Sequence, residues 1–261
     1  MRVHLLYPSN PLRTRLPDEQ FAAEVEAVRA AGFEVSVFSM EGFQSGEFRA
    51  TPSLPSGAEV LYRGWMMSAS EYGSLVSSLA SAQARPIIPL EMYLASHHLP
   101  NWYSRIPDLT PETRIFPSDC NLESELRALA WPEFFIKDYV KSLKTSIGSR
   151  ISKPEQVSAV VADMQRFRGT IEGGFCIRRV EAFLPETERR YFVIDGVPHA
   201  ASDSVPPVVS ECAKRLTSRF YSVDVIQRTD GRMRVVEIGD GQVSDLVGWT
   251  PAAFAKVLLL K

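Results

Sequence analysis

The segment from residue 221 to residue 244, YSVDVIQRTDGRMRVVEIGDGQVS, constrains the fold more strongly than the rest of the sequence. Two apolar runs flank Asp230 and Gly231, a dipeptide typical of a two-residue β-hairpin turn. With these residues at the centre of the turn, Asp224 stands directly opposite Glu237 on one face of the hairpin. The sequence therefore predicts an antiparallel hairpin that carries two facing acids.

Two carboxylates in this position repel each other, and Ile226 opposite Val235 is expected to give them apolar neighbours. A divalent cation removes the conflict, since Mg²⁺ prefers hard oxygen ligands and shares them with substrate phosphates. Asp240, three residues after Glu237, is expected to add a third oxygen ligand, and Mn²⁺ is an alternative ion. Two other interpretations stay open: the acids of an ordinary surface hairpin, and a carboxyl pair that shares a proton for acid–base chemistry.

Strand and helix patterns alternate in the order β-α-β-β-α-β up to about residue 100, which predicts an open, largely parallel sheet. Its second helix begins with a capping-box pattern from Ser68 to Glu71. Arg63 lies at the end of a predicted strand, where such sheets usually bind ligands. We expect Arg63 either to contact a substrate carboxylate or to form a salt bridge or a stacked contact.

Residues 97–113 are rich in proline and polar residues, which favours a linker. Helices and strands of mixed order follow, so the predicted fold class is α/β plus α+β. The expected units are residues 1–104, an α/β domain, and residues 105–180 and 181–261, two α+β subdomains.

Composition limits the function classes. The chain has 261 residues, a formal net charge of −2 and three scattered cysteines. The charge argues against general nucleic-acid binding, and the cysteines argue against a disulfide framework. A run of 18 apolar residues is absent from the sequence, which argues against a membrane span. These features predict a reduced, cytoplasmic protein.

Several cations have positions that suit an anionic ligand. Lys137 lies in an otherwise apolar strand, where an ammonium group is costly unless it meets an anion or reaches solvent. Lys141 and Lys144 follow in a loop, where lysines are more often solvated. Glu188 and Arg190 share one face of a predicted strand, because side chains alternate along strands.

The strings DVIQRTDGRMRVVEIGDG, EFFIKDYVKS and RRVEAFLPETERRYFVIDG together resemble the ATP-grasp superfamily, and VLYRGW, YLASHHLPNWY and EIGDGQVS are most similar to its R2K clade. The resemblance implies a Rossmann-like pre-ATP-grasp domain followed by two ATP-grasp subdomains, with ATP and Mg²⁺ as cofactors. It also implies roles for individual residues: Asp224 and Glu237 hold Mg²⁺ under the phosphates, Lys137 binds phosphate, Arg190 points to the phosphates or an acyl phosphate, Glu188 holds the ribose, and Glu181, Ala182 and Leu184 border the adenine, mostly through backbone groups. Lys141, in the loop after Lys137, is expected to add a further phosphate contact.

The sequence departs from the family pattern in two places. Gly239 stands where the family usually has an asparagine ligand two residues after the glutamate. The loop after Lys137 carries Lys141 and Lys144 in place of a glycine-rich flap, so charge is expected to replace backbone amides there.

The resemblance implies an ATP-dependent carboxylate–amine ligase that forms an acyl phosphate and acts on an amino acid or a peptide. A homodimer is compatible with this interpretation, since related enzymes are often dimers. Two alternatives stay open: a phosphotransferase on a small molecule, and a nucleotide-binding regulator without turnover.

Overall fold

The computed structural model describes residues 3–140, 148–201 and 204–258. Lys141 and Lys144 lie outside the described residues. Within the described part of the chain, the strands form three four-stranded sheets. None of the helices described is both long and apolar enough to cross a membrane.

The first sheet is parallel and has the strand order β2-β1-β3-β4. Its strands are β1 (His4–Pro8), β2 (Glu34–Phe38), β3 (Glu59–Tyr62) and β4 (Arg85–Pro86). The intervening helices are α1 (Ala22–Ala30), α2 (Met40–Gln44) and α3 (Ala69–Ser81). The predicted capping box is present at the start of α3, where Ser68 and Glu71 bond each other's backbone N–H groups. The predicted parallel sheet is therefore confirmed, but α2 lies between β2 and β3, where the prediction had two strands in succession.

The predicted linker at residues 97–113 is wrong in its first half. Helix α4 (Leu90–His97) is followed directly by helix α5 (Leu99–Tyr103). Proline is accepted at the first turn of α5, because the N–H groups of that turn need no partner within the helix. Leu99 and Trp102 are buried, so this segment is part of the core rather than a connection.

The second sheet is antiparallel and has the strand order β5-β8-β6-β7. Its strands are β5 (Thr113–Pro117), β6 (Phe134–Asp138), β7 (Arg150–Ile151) and β8 (Gly174–Arg179). Helices α6 (Leu122–Leu129) and α7 (Val157–Arg168) share a core with one of its faces. On the opposite face, Phe135 and Lys137 of β6 stand next to Arg178 and Cys176 of β8.

The third sheet is antiparallel and has the strand order β10-β9-β11-β12. Its strands are β9 (Phe183–Ile194), β10 (Val197–His199), β11 (Phe220–Arg228) and β12 (Met233–Asp240). Two helices complete the chain, α8 (Pro207–Arg215) and α9 (Pro251–Leu258). Strands β11 and β12 are the predicted hairpin.

The hairpin has the predicted acid pair but a different turn. Asp224 stands opposite Glu237, as predicted. However, the turn contains three residues, since Arg228 N–H bonds Arg232 O and Gly231 N–H bonds Arg228 O. Ile226 therefore stands opposite Arg234 instead of Val235, which corrects that part of the prediction.

A β-bulge restores the pairing of the two acids. Asp224 pairs with Glu237 and Val225 pairs with Val235, so Val236 is the extra residue on β12. The carbonyl of Val236 accepts a hydrogen bond of 2.5 Å from Arg178 Nη1 of the second sheet. The bulge thus receives a partner from across the space between the two sheets.

Candidate functional site

A cleft of about 750 Å³ separates the second sheet from the third. It is lined by charged residues from both sheets, among them Lys137, Glu181, Glu188, Arg190, Asp224 and Glu237. Phe135, Phe183 and Ile226 are apolar members of the lining. The cleft therefore combines a charged floor with apolar wall segments, a combination typical of small-molecule sites.

The charged floor is a row of four side chains, Arg190, Asp224, Glu237 and Lys137, called here the charged row. Arg190, Asp224 and Glu237 are direct neighbours on three adjacent strands. Arg190 donates from Nε and Nη2 to the two oxygens of Asp224, at 2.7 and 2.6 Å. Lys137 reaches from the opposite sheet, with its Nζ 3.2 Å from Glu237 Oε1.

Each acid of the charged row is thus compensated by one cation. Partial burial favours the neutral form of Glu237, but Lys137, with help from Arg178 and Arg190, lowers the pKa of this carboxyl below its ordinary value. Burial likewise lowers the pKa of Arg190, but Asp224 raises it above its ordinary value overall. Both groups are therefore charged at neutral pH.

The acid pair has the donor chemistry of a hard-cation site. Asp224 is buried, whereas the Glu237 side chain is 43% exposed toward the cleft. Carboxylate oxygens are the ligands that Mg²⁺ and Mn²⁺ prefer, and Mg²⁺ usually completes its shell with water and phosphate oxygens. Within the described ranges, no group of three or more His, Cys, Asp or Glu side chains is arranged to hold a metal ion. Two carboxylates are the protein ligands that the described residues provide.

Asp240 is not the third ligand, and this corrects the prediction. It lies three positions after Glu237 on the same strand, so its side chain points to the opposite face of the sheet. The carboxylate is fully buried, where it accepts hydrogen bonds from Ser96 Oγ at 3.0 Å and from Gln242 N at 3.0 Å. The carboxylate of Asp240 therefore stabilises the turn that follows β12 and does not face the cleft.

Arg63 does not reach the cleft either, so the expected substrate contact is wrong and the salt-bridge interpretation is correct. Its side chain is 2% exposed and forms a bidentate pair with Glu24, with both distances 2.7 Å. Its Nη1 donates to the carbonyls of Gly241 and Ser244. A guanidinium with these partners has little capacity left for a ligand.

Of the three residues predicted to border adenine, only one lines the cleft. Glu181 lines the cleft, held by Arg234 at 3.0 Å, but Ala182 and Leu184 do not line it. The carbonyl of Ala182 accepts a bond from Thr229 N–H, and that of Leu184 accepts one from Thr187 Oγ1. Both backbone acceptors are therefore engaged within the protein.

Phe183 and Pro185 line the cleft in their place. They alternate with Ala182 and Leu184 along the chain, as side chains do in a strand. With Glu181 on the cleft face, the alternation of side chains along the strand predicts that residues 183 and 185 face the cleft too.

Arg178 is a cleft residue that the sequence analysis missed. It is 6% exposed, bonds Val236 O and Thr110 Oγ1, and lines the cleft near Lys137. Burial lowers the pKa of its guanidinium to about 10. Its signal in the sequence was the same as that of Lys137, a cation within an apolar strand.

A second cavity of about 340 Å³ adjoins the cleft. The two spaces share Glu188, Arg189, Arg190 and Val247 in their walls. Small residues such as Gly248 complete the second cavity. Arg190 therefore lines both spaces.

Comparison with known proteins agrees with this architecture. Residues 92–258, more than half of the chain, match the family model of the ATP-grasp domain, R2K clade family 3. The sequence matches none of the curated proteins.

Three solved structures share the fold over nearly the whole chain. The D-cycloserine synthetase DcsG is 13% identical with a TM-score of 0.64, covering 99% of this chain and 98% of its own. The D-alanine-D-alanine ligase from Coxiella burnetii is 11% identical with a TM-score of 0.64, covering 99% of this chain and 94% of its own.

The third is the macrocyclase MdnC from Microcystis aeruginosa, solved with its precursor peptide MdnA. It is 14% identical with a TM-score of 0.61 and covers 100% of both chains. The fold and the family match together identify the chain as an ATP-grasp protein of the R2K clade, family 3.

Proposed function

We propose that this protein is an ATP-dependent ligase that joins a carboxylate to an amine through an acyl phosphate. The observation that carries the proposal is the charged row on the floor of a cleft with apolar walls. The family supplies the nucleotide, and similar folds named as ligases or synthetases support the reaction class. That one substrate is a carboxylate and the other an amine is part of this proposal.

The cleft suits a nucleotide at both of its ends. Phe135, Phe183 and Ile226 offer an apolar slot for adenine. Glu188 lies in the wall between this slot and Arg190 along the strand, a position that suits the ribose hydroxyls. Lys137, Arg178 and Arg190 direct positive charge at the triphosphate. The expected roles of Glu188, Arg190 and Lys137 are therefore kept in the proposal.

Asp224 and Glu237 would hold Mg²⁺ or Mn²⁺ against the phosphates. Such an ion, when bound, neutralises part of the charge that develops during phosphoryl transfer. Arg190 bonds Asp224 and Lys137 bonds Glu237, and these bonds orient both carboxylates toward the cleft. The two acids are thereby held on one face of the sheet.

The proposed reaction has two steps. An oxygen of the substrate carboxylate attacks the γ-phosphorus of ATP, the bond from that phosphorus to the bridging oxygen breaks, and ADP leaves. The amine then attacks the acyl carbon, inorganic phosphate leaves and the amine loses a proton. Arg190 and Lys137 act by charge, stabilising the transferring phosphoryl group from two sides.

The second cavity is the proposed place of the carboxylate or amine substrate. Its volume of about 340 Å³ suits an amino acid or the terminal residue of a peptide, and it borders Arg190 directly. The macrocyclase MdnC, which shares the fold, was solved with a precursor peptide, and this supports testing peptides beside free amino acids.

The test is a screen for ADP formation that depends on an added amine, with panels of amino acids and peptides. Lys137→Met and Glu237→Gln are each expected to reduce turnover by about 100-fold, since each removes a charge that faces the phosphates. Lys214→Met, on the exposed surface of α8, is the matched control and should retain full activity.

Other results of the same screen contradict the ligase. ADP formation that needs only one substrate and yields a phosphorylated product indicates a phosphotransferase. Tight nucleotide binding without turnover on any mixture indicates a regulator. Full activity of the Glu237→Gln protein removes the proposed metal site.

A further inference from the structure

The turn that follows β12 connects the charged row to the first sheet. Residues 241–245 form this turn, called here the anchored turn. Arg63, next to the end of β3, donates from Nη1 to Gly241 O and, at 3.0 Å, to Ser244 O. A single buried guanidinium therefore holds both ends of the anchored turn.

Arg63 is itself fixed on all sides. Glu24 of α1 accepts two bonds from it, and Tyr7 of β1 donates to the same carboxylate at 2.8 Å. The guanidinium also lies 4.7 Å from the ring centre of Phe254 in α9. A buried ion pair contributes little net stability, because desolvation offsets most of the attraction. Its clearest effect here is geometric, since it gives the anchored turn one position.

The anchored turn in turn orients Arg190. The carbonyl of Asp245 accepts a bond of 2.9 Å from Arg190 Nη1, the nitrogen that Asp224 does not use. With the two bonds to Asp224, this third bond sets the guanidinium plane. Ser244 Oγ donates to Asp240 O at 2.8 Å, which keeps the turn closed on the strand side.

We infer that Glu24 and Arg63 form a positioning pair, which acts through the Asp245 carbonyl to aim Arg190 at the reacting phosphate. The pair lies beside the first sheet, on α1 and directly after β3, and neither residue lines the cleft. The inference rests on the proposed function, because it assigns Arg190 to the phosphates. Hydrogen bonds link the buried pair to the anchored turn and link the anchored turn to Arg190.

The test variant is the double substitution Arg63→Met with Glu24→Gln. It removes both charges together, so neither is left buried without a partner. The matched control is Arg85→Met with Glu59→Gln, an exposed pair in the same sheet with a separation of 3.4 Å. Urea unfolding and circular dichroism confirm that each variant is folded before binding is measured by calorimetry.

We expect the double variant to bind a non-hydrolysable ATP analogue with Mg²⁺ about tenfold more weakly than wild type, the scale of one hydrogen bond to a charged group. Its affinity for adenosine should stay unchanged, because adenosine does not reach Arg190. The control pair should leave both affinities unchanged. A general loss of structure would instead lower the affinity for both the ATP analogue and adenosine.

A double-mutant cycle with Arg190→Gln shows whether the pair acts through Arg190. In the Arg190→Gln background, the Arg63 and Glu24 substitutions should cause no further loss. Should the double variant prove unfolded, Glu24→Gln alone is expected to give about a threefold loss in the same direction, since one weaker acceptor remains.

Equal losses in both backgrounds, or an unchanged affinity for the ATP analogue, overturn the inference while leaving the proposed function intact. A wild-type protein that binds neither ATP analogue nor adenosine overturns the proposed function and this role together. The two failures are therefore distinguished by the wild-type measurement.

Discussion

Asp240 is a buried acid whose hydrogen bonds stabilise a turn. Burial raises the pKa of its carboxyl to about 7, although Gln242, Ser96 and the charge of Arg63 oppose this shift. The ordinary value is 3.8, which is the value expected in the unfolded chain. Between these two values the folded protein binds a proton that the unfolded protein releases.

Stability should therefore fall as the pH rises from about 4 to about 7, and then level off. Asp240→Asn cannot titrate and keeps an acceptor for Gln242. We expect its free energy of unfolding, relative to wild type, to increase by about 1.4 kcal/mol for each pH unit between pH 5 and 7. Urea unfolding at pH 5, 6, 7 and 8 measures this difference. A difference that does not change with pH contradicts the prediction.

The sequence places several residues on the correct wall of the cleft. Lys137 was identified by its cost in an apolar strand, and Asp224 with Glu237 by their spacing around a turn. The sequence does not identify the buried partner of Arg63 or the Ser96 partner of Asp240, because these bonds join residues that are 39 and 144 positions apart. A local sequence pattern does not show which distant residue bonds a given side chain. It does indicate that a charged residue among apolar neighbours needs a partner.

At the scale of elements, the hairpin shows two deviations that cancel. The three-residue turn shifts the register by one position relative to a two-residue turn, and the bulge at Val236 shifts it back. A slip of one residue would have moved Glu237 to the other face of the sheet. The acid pair is thus as predicted because the bulge compensates for the longer turn, whereas Ile226, between the turn and the bulge, stands opposite Arg234.

Gly231 allows the three-residue turn, since its φ of +86° lies in the left-handed region. A Cβ at this position would meet Gln227 Nε2 only at 4.0 Å, so Gly231→Ala isolates the backbone cost. We expect a loss of about 1–2 kcal/mol for Gly231→Ala and a smaller loss for Gly231→Asn, because asparagine tolerates this conformation. Urea unfolding ranks the three proteins. An alanine variant as stable as wild type, or an asparagine variant less stable than alanine, contradicts this view of the turn.

At the scale of the whole molecule, the first and third sheets share one core. Phe192 and Phe220 of the third sheet belong to the same buried cluster as Leu5 and Tyr62 of the first. One face of the second sheet has a separate core around Leu126. The boundaries at residues 104 and 180 stay a prediction. The periodicity of apolar residues identifies the strands and helices on each side of such a boundary. It does not show which sheets share a core, because a shared core depends on contacts between residues that are distant in the sequence.

Phe254 of α9 joins the shared core. It is fully buried, and its ring centre lies 5.0 Å from that of Phe192 and 6.2 Å from that of Phe220. Phe254→Ala is expected to cost about 3–5 kcal/mol through the cavity it leaves. Because the core is shared, amide exchange should accelerate together in β1, β3, β9 and β11, and to a smaller extent in β6 and β8.

Leu126→Ala is the matched variant in the core of the second sheet, where it should cost about 2–5 kcal/mol. It is expected to give the opposite pattern, with faster exchange in β6 and β8 and little change in β1 and β3. Native-state hydrogen exchange followed by mass spectrometry resolves these strands. If Phe254→Ala accelerates exchange in β9 and β11 alone, the first and third sheets unfold independently and the shared core does not couple them. The positioning pair also requires that the first and third sheets stay packed together. Arg63 lies beside the first sheet, and it fixes the turn that orients Arg190 of the third.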